Sequence, residues 1–228
     1  MITVLILNDQ ALQRLGLRLF LDAQPGVTVV GEATTGVQAS QAAASLRPDV
    51  ILMDMGLPDD DGLRTIRHIA RPGHRPESHP PRTTRPRVLV LTPVDTDEFA
   101  WAALRAGAGG FLPKDALPDQ LTAAIHIVAQ GGSVLSPRLT RSLVAALRRQ
   151  DPSRKPKNAG RLALLTERER EVLTALASGR SSTEMAQRLS IAPATVKTHI
   201  SGILAKIGVR ARVQAVVIAY ETGLVRPV

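Results

Sequence analysis

Val50-Ile51-Leu52-Met53-Asp54 is four apolar residues in a row closed by a carboxylate, and its reading decides the first half of the chain. An apolar run without polar alternation suits a strand covered on both faces, as in a parallel sheet. Runs of the same kind stand at Ile2–Leu7, 27–30 and 88–91, with a weaker one at 110–112. Helical patterns lie between them. Leu12, Leu15 and Leu19 recur on one face of 10–22, and Thr35 with Gln38, like Asp95 with Glu98, has capping-box spacing ahead of helices at 36–46 and 96–106. Strand alternating with helix five times predicts an α/β doubly wound domain with a five-stranded parallel sheet.

Ligands of such sheets sit outside the carboxyl ends of the strands. Four polar residues fall there: Asp9 just after strand one, Asp54 at the end of strand three, Thr92 ending strand four and Lys114 just after strand five. Two carboxylates, a hydroxyl and an ammonium suit a divalent cation together with a phosphoryl group. Asp9 and Asp54 would offer hard oxygens to Mg²⁺. Thr92 would donate to a phosphoryl oxygen, Lys114 would neutralise it, and Asp54 would be the nucleophile that becomes an acyl phosphate.

Away from this sheet the chain turns basic. Of 29 Lys+Arg and 20 Asp+Glu over 228 residues, 13 and 6 fall in residues 150–228. A small basic unit joined to a nearly neutral one points to a polyanion partner. Residues 150–160 are polar, with two prolines and no apolar period, and read as a linker. A second loop is expected at 71–87, where five arginines and five prolines preclude helix or ladder. With no cysteine, disulfide frameworks, thiol nucleophiles and Cys-ligated metals are excluded. Five aromatic residues in all (Phe20, Phe99, Trp101, Phe111 and Tyr220) argue against single-strand recognition by stacking. The N-terminus lacks the basic segment of a signal peptide and no apolar run reaches membrane-span length, so a cytoplasmic protein with no membrane partner is expected.

The basic end has its own pattern. Thr166 with Glu169 opens a helix carrying Val172, Leu173, Leu176 and Ala177 on one face, and Gly179 ends it. Ser181 with Glu184 opens a second, with Met185, Ala186 and Leu189 inward. Ser190-Ile191-Ala192-Pro193 makes a turn, and Pro193 suits the first position of a third helix, 193–206. Val196, Ile200, Ile203 and Leu204 of that helix face inward; Lys197, Thr198, Ser201 and Lys206 face out. A fourth helix over about 211–222 carries a Val-rich stripe, Val213, Val216 and Val217, suited to pairing two such domains. This is a helix-turn-helix within an all-α four-helix domain, the third helix being the one for the major groove. Lys197, Thr198 and Ser201 share one exposed face whose groups could pair with base edges, whereas Thr195, Lys206, Ser182 and Thr183, nearer helix ends, are expected to meet phosphates.

Asp54-Met55-Gly56-Leu57-Pro58-Asp59-Asp60-Asp61-Gly62, with Thr92 and Gly110-Phe111-Leu112-Pro113-Lys114-Asp115, resembles the receiver domain of two-component response regulators. Leu165-Thr166-Glu167-Arg168-Glu169-Arg170-Glu171-Val172-Leu173, Ala194-Thr195-Val196-Lys197-Thr198-His199-Ile200 and Gly223-Leu224-Val225 resemble the DNA-binding domain of LuxR/NarL-type regulators. The resemblance implies a flavodoxin-like receiver over 1–130, a linker over 131–161 (a helix at about 137–149, then flexible 150–161) and a DNA-binding domain over 162–228. It also implies phosphorylation of Asp54 by a histidine kinase and a switch aromatic at Phe111. Mg²⁺ would be held by Asp9, Asp54 and the backbone carbonyl of Gly56, with Asn8 standing behind these ligands. Three features depart from the family: Asn8 where an acid is usual, Pro93 directly after Thr92, and the long loop 71–87. They define an alternative, an atypical receiver that acts as a constitutive dimerisation or partner-binding module. Catalysis of substrate turnover is not expected and no catalytic residue is assigned, since the Asp-x-Asp of aspartate-nucleophile phosphatases is interrupted by Gly56. The expectation is a DNA-binding transcription regulator, acting as a homodimer on double-stranded DNA.

Overall fold

The computed structural model of the protein describes residues 1–54, 61–70, 86–92, 97–135, 139, 159–209 and 211–225, in two compact units, Met1–Ser136 and Pro137–Val228. In the first unit the chain runs β1 (Ile2–Leu7), α1 (Ala11–Asp22), β2 (Val27–Ala33), α2 (Gly36–Leu46), β3 (Val50–Asp54), α3 (Asp61–Ala70), β4 (Arg87–Thr92), α4 (Asp97–Ala106), β5 (Ala108–Pro113) and α5 (Pro118–Ala129). All five strands are parallel, in the order β2-β1-β3-β4-β5. This is the doubly wound, flavodoxin-like sheet that the uninterrupted runs predict. Val4, Ile6, Leu52 and Leu89 pack with Leu21 of α1 and Leu121, Ile125 and Val128 of α5. The alternate residues Leu5, Leu7, Ile51, Met53 and Val90 are equally buried, so both faces of the sheet are covered.

Two strands are longer than their apolar runs. β2 continues through Glu32, which an edge strand tolerates because Arg14 and Arg18 pair with its carboxylate at 2.9 and 2.7 Å. β5 begins at Ala108, opposite Val88 of β4, and Gly110 permits a close backbone approach on its other side. Val134 bridges Gly110, Phe111 N–H donates to the Val134 carbonyl at 2.7 Å, and a Cβ on residue 110 would stand 2.9 Å from that oxygen. Val134, expected in the linker, thus lies against the outer edge of β5.

The leucine face of α1 points to solvent. Leu12, Leu15 and Leu19 do share a face, but they are 81, 51 and 66% exposed; Leu17, Phe20 and Leu21 make the core side. The helix carries two apolar stripes, and periodicity alone does not say which one the sheet covers. The capping box at α2 is half formed. Thr35 Oγ1 accepts from Gln38 N–H, yet the Gln38 side chain turns to Thr34 N–H and Oγ1 at 2.9 and 2.8 Å. The box expected at Asp95, Pro93 and the helix at 137–149 (apart from the buried, helical Leu139) lie outside the described residues. So does the arginine-rich loop, save Pro86 and Arg87, and Arg87 opens β4.

The second unit contains α6 (Ala159–Leu162), α7 (Glu167–Ala177), α8 (Ser182–Leu189), α9 (Pro193–Lys206) and α10 (Arg212–Glu221). One turn of helix stands at 159–162, over the end of the stretch expected to be flexible to 161; Leu162 docks on the core and its carbonyl accepts from Arg170. Both capping boxes form in full: Thr166 with Glu169, and Ser181 with Glu184. Gly179 takes φ +78° after α7, and Ser190 takes φ +52° in the turn between α8 and α9. Leu173, Met185, Val196, Ile200, Ile203 and Ile218 fill the core. Tyr220 Oη donates to the Ala177 carbonyl at 3.1 Å and fastens α10 to the end of α7. The Val-rich stripe of α10 does not stand free: Val213 is 6% and Val217 5% exposed. This helix is apolar around most of its circumference, so the chain covers the side expected to be open.

Candidate functional site

At the carboxyl end of the sheet, Asp54 closes β3 with its side chain buried. Lys114, placed by the end of β5, sets its Nζ 2.6 Å from Asp54 Oδ1. Asn8, at the end of β1 and equally buried, donates from Nδ2 to Asp54 Oδ2 at 2.8 Å. The Asn8 Oδ1 accepts Gln10 N–H at 2.7 Å, which fixes which end of the amide faces Asp54. Thr92 is buried at the end of β4, and its carbonyl accepts Lys114 N–H at 2.9 Å, tying the β4 and β5 ends together. Phe111 is buried on β5.

Sequence reasoning anticipated Asp54, Thr92 and Lys114 at adjacent strand ends, and the structure brings Asp54 and Lys114 into contact. Asp9 stands exposed beside Asn8, and Gly56 lies outside the described residues. Among the described residues no three His, Asp or Glu side chains gather in a group fit for a metal. The Asn8–Asp54 contact was not anticipated; the strand ends placed both residues, but nothing in the spacing aims one side chain at the other. Chemically, the pocket holds one carboxylate between an ammonium and an amide donor.

The second unit presents its own polar surface. On α9, Lys197, Thr198, Ser201 and Thr195 are exposed, opposite the buried Val196, Ile200, Ile203 and Leu204. Thr198 Oγ1 donates to the Ala194 carbonyl at 3.2 Å. Thr183 is exposed and Ser182 half-exposed in the first turn of α8. Lys206 is exposed at the end of α9, its Nζ pairing with Glu169 Oε2 at 2.7 Å. The Lys206 ammonium, helped by Thr166 N–H, holds the Glu169 carboxyl below its ordinary range. Arg168, also unforeseen, donates to the Leu189 carbonyl and so caps the end of α8. Ala192, before α9, offers no side-chain cap, and Pro193 starts the helix instead.

Comparisons with known proteins agree with this division. Residues 4–126 match the response regulator receiver domain, and residues 163–219 match the bacterial regulatory proteins of the luxR family. The transcriptional regulatory protein LiaR of Bacillus subtilis (strain 168) is 34% identical over 99% of this chain and 100% of its own length. The nitrate/nitrite response regulator protein NarL of Escherichia coli (strain K12) is 34% identical over 96% of this chain and 95% of its own. A crystal structure of a LuxR-family two-component response regulator from Aurantimonas sp. SI85-9A1 superimposes with a TM-score of 0.54 at 27% identity, covering 64% of this chain and 97% of that one. With a buried carboxylate–lysine pair at the strand ends of the first unit, a helix-turn-helix on the second and relatives matched over nearly their whole length, the chain belongs to the NarL/LuxR-type response regulators of two-component systems, DNA-binding regulators of transcription.

Proposed function

We propose that this regulator is switched by phosphorylation of Asp54 and reads double-stranded DNA with α9. The observation that carries the reading is the buried Asp54 carboxylate with Lys114 Nζ 2.6 Å away, at the ligand-binding end of a doubly wound sheet. A histidine kinase would present a phosphohistidine. An Asp54 oxygen attacks phosphorus, the O–P bond forms as the N–P bond breaks, and the electron pair leaves with the imidazole nitrogen. Lys114 is then in position to follow the charge onto the phosphoryl oxygens, and the Thr92 hydroxyl to donate to one of them. Movement of Thr92 frees or fills space beside Phe111, coupling the pocket to the β4 and β5 ends.

The donor set fits Mg²⁺, which is commonly held by one or two carboxylates with water and substrate phosphate completing the shell. Asp9 and Asp54 would hold it, with the Gly56 carbonyl as a further ligand. When bound, it offsets the charge of the incoming phosphoryl oxygens. The unit boundaries expected from the sequence, a receiver over 1–130 and a DNA-binding domain over 162–228, carry this division of labour. A homodimer on a two-fold operator is the working form, since one α9 reads only a half-site. Among the described residues no helix is long and apolar enough to cross a membrane, in keeping with a regulator that meets its DNA in the cytoplasm. Substrate turnover is not part of the proposal.

The test is treatment of the full chain with acetyl phosphate or beryllofluoride in the presence of Mg²⁺. After acetyl phosphate, intact-mass measurement should detect a hydroxylamine-labile phosphoryl adduct in the wild type and none in Asp54→Asn; beryllofluoride, which coordinates the same carboxylate without transferring phosphorus, should form its adduct in the wild type alone. Operator affinity or oligomeric state should change only where the adduct forms. A wild type that takes no adduct, or takes it equally in Asp54→Asn, would overturn phosphorylation control.

A further inference from the structure

Asn8 and Asp54 are 1 and 2% exposed, and the bond between them is buried. The Asn8 amide is fully committed. Its Oδ1 accepts Gln10 N–H at 2.7 Å, while Nδ2 donates to Asp54 Oδ2 at 2.8 Å and reaches Gln13 Oε1 at 3.3 Å. The backbone around it is fastened as well. Asn8 N–H donates to the Ala33 carbonyl at 3.0 Å, and the Asn8 carbonyl accepts Arg14 Nη1 at 2.9 Å. The amide cannot turn over without breaking the bond from Gln10 N–H, so the end facing the carboxylate is a donor.

We propose that Asn8 is a positioning residue that locks Asp54. Its N–H occupies the flank of Oδ2 that a divalent cation would share, and the resting pocket is self-sufficient without one. An amide N–H and a cation cannot both lie against the same side of one oxygen. Binding a cation at Asp54 therefore requires the Asn8–Asp54 bond to open, with Lys114 at 2.6 Å already supplying positive charge to the other oxygen. The consequence is weak cation affinity in the resting state, rising when a phosphoryl group adds oxygen ligands and draws Lys114 away. Asp9, exposed beside the lock, then supplies the second carboxylate. The inference rests on Asp54 as a cation ligand in the proposed receiver, but its readout is cation binding. A receiver that binds cation as described and accepts no phosphoryl group would sink the functional reading alone.

The experiment is Mn²⁺ binding to the full chain by calorimetry or paramagnetic resonance, with thermal melts in and out of MgCl₂, for wild type, Asn8→Asp and Asn8→Ala. Adding a carboxylate and removing the donor should tighten Mn²⁺ binding at least about tenfold in Asn8→Asp. Removing the donor alone should tighten it severalfold in Asn8→Ala. That variant should also melt lower than wild type without cation and recover part of the loss in Mg²⁺. Mn²⁺ affinity in Asn8→Ala no tighter than wild type would show that the amide locks nothing. Should Asn8→Ala not fold, the Asn8 side-chain amide protons of the wild type decide. Slow solvent exchange that is lost at saturating Mg²⁺ supports the lock; rapid exchange without Mg²⁺, or protection that saturating Mg²⁺ leaves unchanged, overturns it.

Discussion

Lys206 Nζ and Glu169 Oε2 stand 2.7 Å apart and join the last turn of α9 to the first turn of α7 across 37 positions of sequence. Glu169 is also the partner of Thr166 in the α7 capping box, accepting its N–H at 2.9 Å and its hydroxyl at 3.0 Å. One carboxylate thus serves a local cap and a tertiary tie. Lys206→Ala should leave Glu169 buried with only the cap and cost on the order of 1 kcal/mol, the Lys206 side chain being partly exposed and screened. Because the folded state holds Glu169 below its ordinary value of 4.5, the tie contributes fully above that pH and is lost as pH falls through the lowered value. Urea unfolding of wild type and Lys206→Ala should differ at pH 7 and converge under acid. A gap that persists at low pH would mean the tie is not ionic.

The Asp54–Lys114 pair makes a similar argument in the first unit. Lys114→Met removes the ammonium from a buried carboxylate and should cost about 2 kcal/mol, below the range for a fully buried pair because Lys114 keeps some solvent. In an Asp54→Asn background the same substitution should cost well under half of that, since there is no charge left to neutralise. A double-mutant cycle by denaturant unfolding measures the difference. Equal costs in both backgrounds would show that Lys114 contributes by packing alone.

Gly36 opens α2 against α3. A Cβ there would stand 1.8 Å from Thr65 Oγ1 and 3.0 Å from Thr65 Cβ. Thr65 is buried. Gly36→Ala should therefore destabilise the first unit by about 2–3 kcal/mol, as overpacking does. Adding Thr65→Ala removes the nearest atom, leaves the 3.0 Å contact and should restore part of the loss. No recovery in the double variant would place the strain elsewhere than at this crossing.

On α1 the prediction is one of tolerance. Leu15 faces solvent whereas Leu21 is fully buried beneath the helix. Leu15→Gln should change monomer stability by no more than about 0.5 kcal/mol, and Leu21→Ala should cost about 2–5 kcal/mol. Thermal melts at low protein concentration separate the two. Comparable losses would mean that Leu15 is covered in solution.

These residues mark how far the sequence carries. The parallel sheet was legible because burial on both faces leaves no polar position in Val50–Asp54 beyond its carboxylate end. The caps of α7 and α8 were legible because their partners lie three residues apart. The covered side of α1 was not, since both of its stripes obey the helical period. Nor were Asn8 against Asp54 or Lys206 against Glu169, contacts 46 and 37 positions long that depend on how strand ends and helix ends come to rest. Sequence pattern places such residues at a common edge; the side-chain pairing is a property of the packing.

The reading of DNA by α9 gives the last prediction. Lys197, Thr198 and Ser201 are exposed on the helix whose other side, Val196, Ile200 and Ile203, is buried in the core, so they can enter a groove without disturbing the fold. Lys197 can donate to guanine O6 or N7, the Thr198 methyl can meet a thymine methyl, and Ser201 can donate or accept. Lys197→Ala should then cost about 1–3 kcal/mol on the cognate site, relax preference at one base pair and leave the melting temperature unchanged. Lys206 separates cleanly from it. A lysine that pairs with Glu169 must leave that carboxylate to reach a phosphate, so Lys206→Ala should lower the melting temperature while reducing the salt dependence of binding by less than the roughly one unit expected of a full phosphate contact. Titrations of cognate and random duplexes across salt concentrations, alongside thermal melts, distinguish the two lysines. If Lys197→Ala weakened both duplexes equally and lowered the salt slope by a full unit, Lys197 would be a backbone contact and another part of α9 would read the bases.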